Sequence, residues 1–274
     1  VELDDLLASI KPARTGQGRY EASPYDRGAG VVDAGTLSAL MSAAGADGGQ
    51  PLRSLHATFF RSADPALGVS LQVEEVHSGR TLGVRGISVT QHDRKVAVGH
   101  LVVGPTTDAL IEHADGPVAL PPMPDTDPPY AGSLHPGFSP VVGDVDPFDA
   151  ERTWPPTWQI WVDCQHVRRD GPLEAYLAFH ANEYLVSAAV LPHRGFGMHE
   201  AHRGVLTVIT ASDVVFHDVA AIDRWVLFEQ TNTYAGAGWL YGRGAAYNDS
   251  GRPVASFSQQ AILRAATRPH KCTV

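Results

Sequence analysis

The sequence predicts an α+β protein that uses one unit twice, a central helix wrapped by a curved antiparallel sheet. Three observations lead there. Two largely apolar helical stretches each precede a run of strands. The two strand runs carry matching segments, "TLGVRG" at 81–86 and "WLYGRG" at 239–244, within the same order of elements. Between the runs lies a stretch so rich in proline, glycine and aspartate that it divides the chain.

The first helix is expected over 34–46, "AGTLSALMSAAGA", where small and apolar residues continue without a break until Gly45. A helix that is apolar over much of its surface is what wrapping by a sheet requires. "SLHATFFRSADP" then joins an apolar run to a polar break at Asp64, and "TLGVRGISVTQHDRKVAVGHLVV" reads as a hairpin whose turn, "QHDRK", has the expected chemistry. The composition changes near residue 104. Proline removes a backbone donor and fixes φ, so the stretch to about residue 157 does not belong in a core sheet. It is too long for an ordinary loop and reads as an ordered crossing segment with room for a short strand. The second helix is expected over "PLEAYLAFHANEYLVSAAVL", opening on Pro172. In it Leu177, Ala181, Tyr184, Leu185 and Ala188 recur at three- and four-residue spacing. The strands "GVLTVITASDVVFH", "WVLFEQTNTY", "GWLYGRGAAYND" and "PVASFSQQAILR" follow, with "NDSGR" as a hairpin turn and Asp218 in the place that Asp64 holds in the first unit. The division expected is an N-terminal unit over 1–104, a connection over 105–157 and a C-terminal unit over 158–274.

Bulk properties narrow the function. A chain of 274 residues with 43% hydrophobic residues can build a substantial core. Its net charge of −9 argues against a nucleic-acid partner, which needs clustered lysine and arginine. No run of apolar residues is long enough to span a membrane, and "VELDDLLASI" lacks the basic start of a secretory signal. Cys164 and Cys272 form no CxxC pair, which suits a reducing, cytoplasmic setting. The histidines show no ligand spacing, so no metal is expected. There is no GxSxG elbow for a serine nucleophile and no phosphate loop. Arg168 and Arg169 in "HVRRD" are read as a solvated hairpin tip rather than a phosphate contact.

Several segments, taken in order, resemble the TesB-like acyl-CoA thioesterases, whose single chain holds two hotdog folds. They are "SLHATFFRSAD", "LPHRGFG" at 191–197, "VVFHD" at 214–218, and "RWVLFEQTNTYAGAGWLYGRGAAYNDSGRPVASFSQQ" at 224–260. The resemblance covers most of the chain outside the connection. It implies a double hotdog, with a small-molecule acyl-CoA thioester bound between the halves and no separate cofactor. It also implies hydrolysis by water held by an aspartate, a threonine or serine, and a glutamine. The chain is expected to be a monomer or a homo-oligomer. Carried over, the aspartate position falls on Asn182, the threonine position on Ile209 when the strand is aligned through "FH", and the glutamine position on Gln259. The family's Gly-Gly-Gln ahead of the first helix becomes "GAG" at 28–30, so Gly30 stands where a second polar group is expected.

These replacements change the chemistry. A carboxylate can take a proton from water, whereas the Asn182 amide can only orient it. Ile209 offers nothing polar. Thr210 beside it faces the other side of a regular strand, together with Ser212, and a bulge would bring it in. Glu183 is the nearest carboxylate, about 100° around a regular helix from Asn182. Gln259 shares a strand face with Phe257 and Ala261, so an inward amide there needs a partner. His56 is either a base in the first unit or a hydrogen-bonded core histidine, and His180 is a further titratable group beside the expected cleft. Two readings follow. One is a thioesterase whose base is Glu183, His56 or His180, or whose water is held mainly by Asn182 and Gln259. The other is an acyl- or polyketide-binding or structural double hotdog that has lost hydrolysis.

Overall fold

The computed structural model describes residues 3–24, 30–114, 119–124, 141–170, 172–199 and 204–265, with the side chains of 169 and 170 left out; Cys272 and most of "GAG" lie outside these residues. Strands β1 (Ala13–Gly16), β2 (Arg19–Ala22), β3 (Leu52–Phe59), β4 (Val69–Ser78), β5 (Gly83–Gln91) and β6 (Arg94–Val103) come from the first part of the chain. Strands β7 (Thr157–Asp163), β8 (Val205–Phe216), β9 (Trp225–Gly236), β10 (Trp239–Asn248) and β11 (Pro253–Ala265) come from the second. Together these eleven described strands form one sheet in the order β1-β2-β4-β5-β6-β3-β8-β11-β10-β9-β7. Every neighbouring pair is antiparallel. The two parts meet at β3 and β8, paired from Ser54↔Val215 to Thr58↔Ala211. These are the strands that run into the polar breaks at Asp64 and Asp218.

The described helices are α1 (Leu3–Ser9), α2 (Ala34–Ala46), α3 (Gln165–Asp170), α4 (Leu173–Ala181) and α5 (Leu185–Val190), of which α2, α4 and α5 pack against the sheet. Helix α2 occupies the residues that the sequence predicts. Its start is fixed by Asp33, whose carboxylate accepts from the Thr36 amide at 2.6 Å and the Thr36 hydroxyl at 3.0 Å. Its end is held by the Arg85 guanidinium, which donates to the carbonyls of Gly45 and Asp47. From Gly35 to Ser42 every residue of α2 is buried. Its glycines, alanines and serines let α4 pack directly against it. The hairpin turns also follow their chemistry. His92 and Asp93 both take positive φ between β5 and β6. Between β10 and β11 the Asn248 side chain accepts from the amides of Ser250 and Arg252.

Two expectations are corrected. The helix expected over 172–191 is two helices, with Asn182, Glu183 and Tyr184 between α4 and α5. Asn182 ends α4 at φ −101°, ψ 6°. Its side chain donates back to the Ala178 carbonyl at 2.9 Å, offering the backbone an alternative to continued helix. Gln259 donates to the Ala181 carbonyl from β11, which removes an acceptor the next turn would have used. The second correction concerns "HVRRD", which lies in the short helix α3, where Arg168 pairs with Asp223, and not at a hairpin tip. The described part of 105–156 lies against the second half of the sheet, through the bridge Val141↔Ile160, the Asn232 amide on the Pro156 carbonyl at 2.9 Å and Trp161, whose Nε1 donates to the Pro122 carbonyl at 3.1 Å. No described helix is long and apolar enough to cross a membrane.

Candidate active site

Asn182 sits at the break between α4 and α5, buried against α2. Its Nδ2 donates to Ser38 Oγ of α2 at 3.1 Å and to the Ala178 carbonyl at 2.9 Å. Both amide hydrogens are thus used to fix the side chain between the two helices. Its Oδ1 is buried and has no hydrogen-bond partner. An unpartnered buried acceptor is uncommon and marks a place for a water or a ligand donor.

Glu183, next in the chain, turns toward the same helix. A Cβ built on Gly35 would stand 2.5 Å from Glu183 Oε1, 2.9 Å from the Phe179 carbonyl oxygen and 3.1 Å from Asp33 Oδ1. Only a glycine therefore permits this approach. The Glu183 and Asp33 carboxylates share the first turn of α2, where the helix dipole favours negative charge and Asp33 holds the Thr36 amide. The rotation of about 100° expected from a regular helix does not keep Glu183 from this region, because the helix ends at Asn182.

Gln259 is buried on the concave face of β11. Besides holding Ala181, its Oε1 accepts from Gln230 Nε2 of β9 at 2.5 Å. Directly across from Gln259 on β8 is Ser212, also buried, with an unpartnered Oγ. The pairing of β11 with β8 slips between Gln260↔Ala211 and Ala261↔Ile209, leaving Thr210 as the extra residue of a bulge. The bulge places both Ile209 and Ser212 on the core side. Ile209 packs with Leu185, Ala189, Leu240 and Ala261, while Thr210 spends its hydroxyl on the Gln260 carbonyl at 3.1 Å. The polar residue beside Gln259 is therefore Ser212 and not Thr210.

The remaining candidates lie apart from this group. His180 is fully buried in an aromatic cage of Tyr176, Phe179, Tyr184 and Phe228, with Nδ1 2.6 Å from the Tyr184 hydroxyl. Its contact with Phe228 of β9 turns it toward the sheet. His56 projects from the outer face of β3. Its Nδ1 is 2.7 Å from Asp213 Oδ1 and its Nε2 3.1 Å from Ser54 Oγ. It is neither a base in the cleft nor a core histidine, because β3 turns the alternate residues Leu55, Ala57 and Phe59 inward. Gly30 is exposed at φ 67°, three residues before the Asp33 cap, with nothing within 4 Å of a Cβ placed there. Two residues not foreseen from the sequence belong here, Ser38 and Gln230, along with Ser212, which was expected to face away with Thr210. Ser38 is a polar residue in a helix expected to be apolar, and Gln230 shares a strand face with Phe228. Those were the available signals.

With this geometry in place, the comparisons with known proteins assign the chain. Residues 22–104 match the acyl-CoA thioesterase N-terminal domain and residues 115–263 the acyl-CoA thioesterase C-terminal domain. The chain belongs to the acyl-CoA thioesterase family, and its fold is the double hotdog. Among its relatives is human acyl-coenzyme A thioesterase 8, 21% identical over 238 residues, which are 78% of this chain and 73% of the relative. The tesB protein of Mycobacterium avium subspecies paratuberculosis has the same fold at a TM-score of 0.76 and 20% identity, covering 96% of this chain and 99% of that one. A hot dog fold protein of unknown function from Alicyclobacillus acidocaldarius superposes at a TM-score of 0.75 with 16% identity, over 97% of this chain and 100% of that one.

Proposed function

We propose that this chain hydrolyses acyl-CoA or a related thioester with a water held between α2, the α4–α5 break and β8. The observation that carries the reading is the buried, unpartnered Asn182 Oδ1, fixed by both of its amide hydrogens. In this scheme the water donates one hydrogen bond to Asn182 Oδ1 and the other to the Glu183 carboxylate, and accepts one from the Ser212 hydroxyl. Glu183 takes the proton as the water oxygen attacks the thioester carbonyl carbon. The carbon–sulfur bond then breaks, and the leaving thiolate takes up the proton that Glu183 received from the water. Gln259 contributes by holding Ala181, and through it the helix break. Residues 1–104 and 158–274 are the two copies in this reading and 105–157 their connection. Ser38 and Asn182 come from different copies of one chain, so a single chain supplies both sides of the site.

A second reading, binding without hydrolysis, is favoured by one observation. Gln259 is already engaged by Ala181 and Gln230, and Asn182 cannot accept a proton. The test is release of free thiol from short, medium and long acyl-CoAs, with Glu183→Gln in parallel. The hydrolytic reading expects release by the native chain and a loss of about 10²–10⁴-fold in Glu183→Gln. No release above background at any acyl length would leave the binding reading.

A further inference from the structure

The chain carries a net charge of −9, yet three cations without carboxylate partners stand together at one corner of it. Arg61 follows β3, and Arg94 and Lys95 open β6. The amides of Phe60 and Arg61 both donate to the Val96 carbonyl, at 3.1 and 3.4 Å. The Arg61 guanidinium donates to the Lys95 carbonyl at 3.2 Å, so the end of β3 is stitched to the start of β6. All three side chains are exposed, and among the described residues none makes an ion pair. Arg152, Arg168, Arg224 and Arg252, by contrast, each meet a carboxylate. The acids nearby are Asp64, whose Oδ1 accepts from the Ala66 amide, and Asp93 in the turn. The corner keeps a positive balance.

This corner lies at the same end of the molecule as the candidate active site. Two residues past Arg61, the Ala63 carbonyl accepts from the Val32 amide at 2.9 Å. Val32 immediately precedes Asp33, the cap of the helix that receives Glu183. On β3, Ala57 is paired with Ser212, and Arg61 is four residues further along, about 13 Å in extended chain. Phe60, 53% exposed, stands between.

We infer that Arg61, Arg94 and Lys95 dock the phosphate-bearing nucleotide end of a coenzyme A thioester. The extended pantetheine arm then runs from this corner to the Asn182–Ser212 site. The inference rests on the thioesterase reading above. Guanidinium groups match phosphate oxygens bidentately, and the lysine adds a point charge. The exposed Phe60 ring offers a flat face to the adenine.

The test compares native protein with an Arg61→Glu/Lys95→Glu variant on two thioesters of the same acyl group, one on coenzyme A and one on N-acetylcysteamine, which lacks the nucleotide. The expected result is a KM for the coenzyme A thioester raised about tenfold or more, with kcat kept and the N-acetylcysteamine thioester unaffected. Added salt should raise the native KM and leave that of the variant nearly flat. Equal effects on both thioesters, or none on either, would overturn the inference. Direct titration with adenosine 3′,5′-bisphosphate separates it from the hydrolytic reading. If neither thioester is cleaved but the nucleotide binds native protein and not the variant, hydrolysis fails and the docking corner stands. If the nucleotide binds both proteins alike, or neither, the corner fails.

Discussion

At the scale of single residues, the chemistry turns on a neutral amide where a carboxylate would serve as base. Asn182→Asp tests what that position faces. The new carboxylate would keep contact with Ser38 Oγ and could take a proton that the amide cannot. We predict that thiol release from acyl-CoA rises by about tenfold or more; an unchanged rate would mean that residue 182 does not face the thioester. Tyr20 supplies a prediction about stability. Its hydroxyl is buried and donates to Asp47 Oδ2 at 2.7 Å. Burial, and then the Asp47 carboxylate, push it from an ordinary 10.0 up to about 12. The folded state therefore favours the neutral phenol. The stability it contributes is complete below pH 10.0 and is lost as the pH rises toward about 12. Denaturation midpoints measured across that window should fall by more in the native chain than in Tyr20→Phe. Parallel pH curves would refute the assignment. Asn182 and Gln259 could be named from the sequence because the resemblance places them, and Glu183 because it is the carboxylate next to Asn182. Their hydrogen bonds could not, since Ser38 lies 144 residues away from Asn182 along the chain.

Elements explain where the sequence reading bent. The apolar pattern from Leu177 to Ala188 is real, and all five of its marker residues are buried, but a pattern of burial does not report a break in the helix axis. The break comes from side-chain hydrogen bonds made by Asn182 and Gln259, one of them from another element. The bulge at Thr210 was hidden for a similar reason: period-two counting along β8 cannot see which partner residue of β11 is skipped. Packing of α2 against the break gives the prediction at this scale. Exchanging glycine for alanine inside a helix usually stabilises by about 1 kcal/mol. At Gly35 the added methyl would meet the Phe179 carbonyl at 2.9 Å and Glu183 Oε1 at 2.5 Å. Glu183 can swing aside, but the backbone oxygen cannot without moving α4. Gly35→Ala should therefore destabilise by roughly 1–3 kcal/mol and slow hydrolysis by displacing Glu183. A variant as stable as the native chain in urea unfolding would show that the two helices are not in this close contact.

For the whole molecule, the repeated order of elements was legible because each half carries its own helix, strands and turns. The seam was not, because pairing between β3 and β8 joins residues more than 150 positions apart and leaves no local pattern. His56 shows the cost: among apolar neighbours it read as inward, while the seam sets it outside, across from Asp213 on the other half. That seam determines how the protein should unfold. The halves share a continuous sheet through five paired positions from Ser54 to Thr58. Their helices are joined by the buried Asn182–Ser38 bond, so neither half can open without exposing the core of the other. Calorimetry should show one transition, coincident with loss of both near- and far-ultraviolet circular dichroism. The half-exposed His56–Asp213 pair adds little to this joint, since such pairs contribute at most about 1 kcal/mol. His56→Ala should lower Tm by no more than roughly 2–4 °C and leave the transition single. Two resolved transitions in the native protein would mean that the halves are stable apart. A His56→Ala variant that splits one transition into two would instead place the strength of the seam in this outer pair and not in the sheet and helices beneath it.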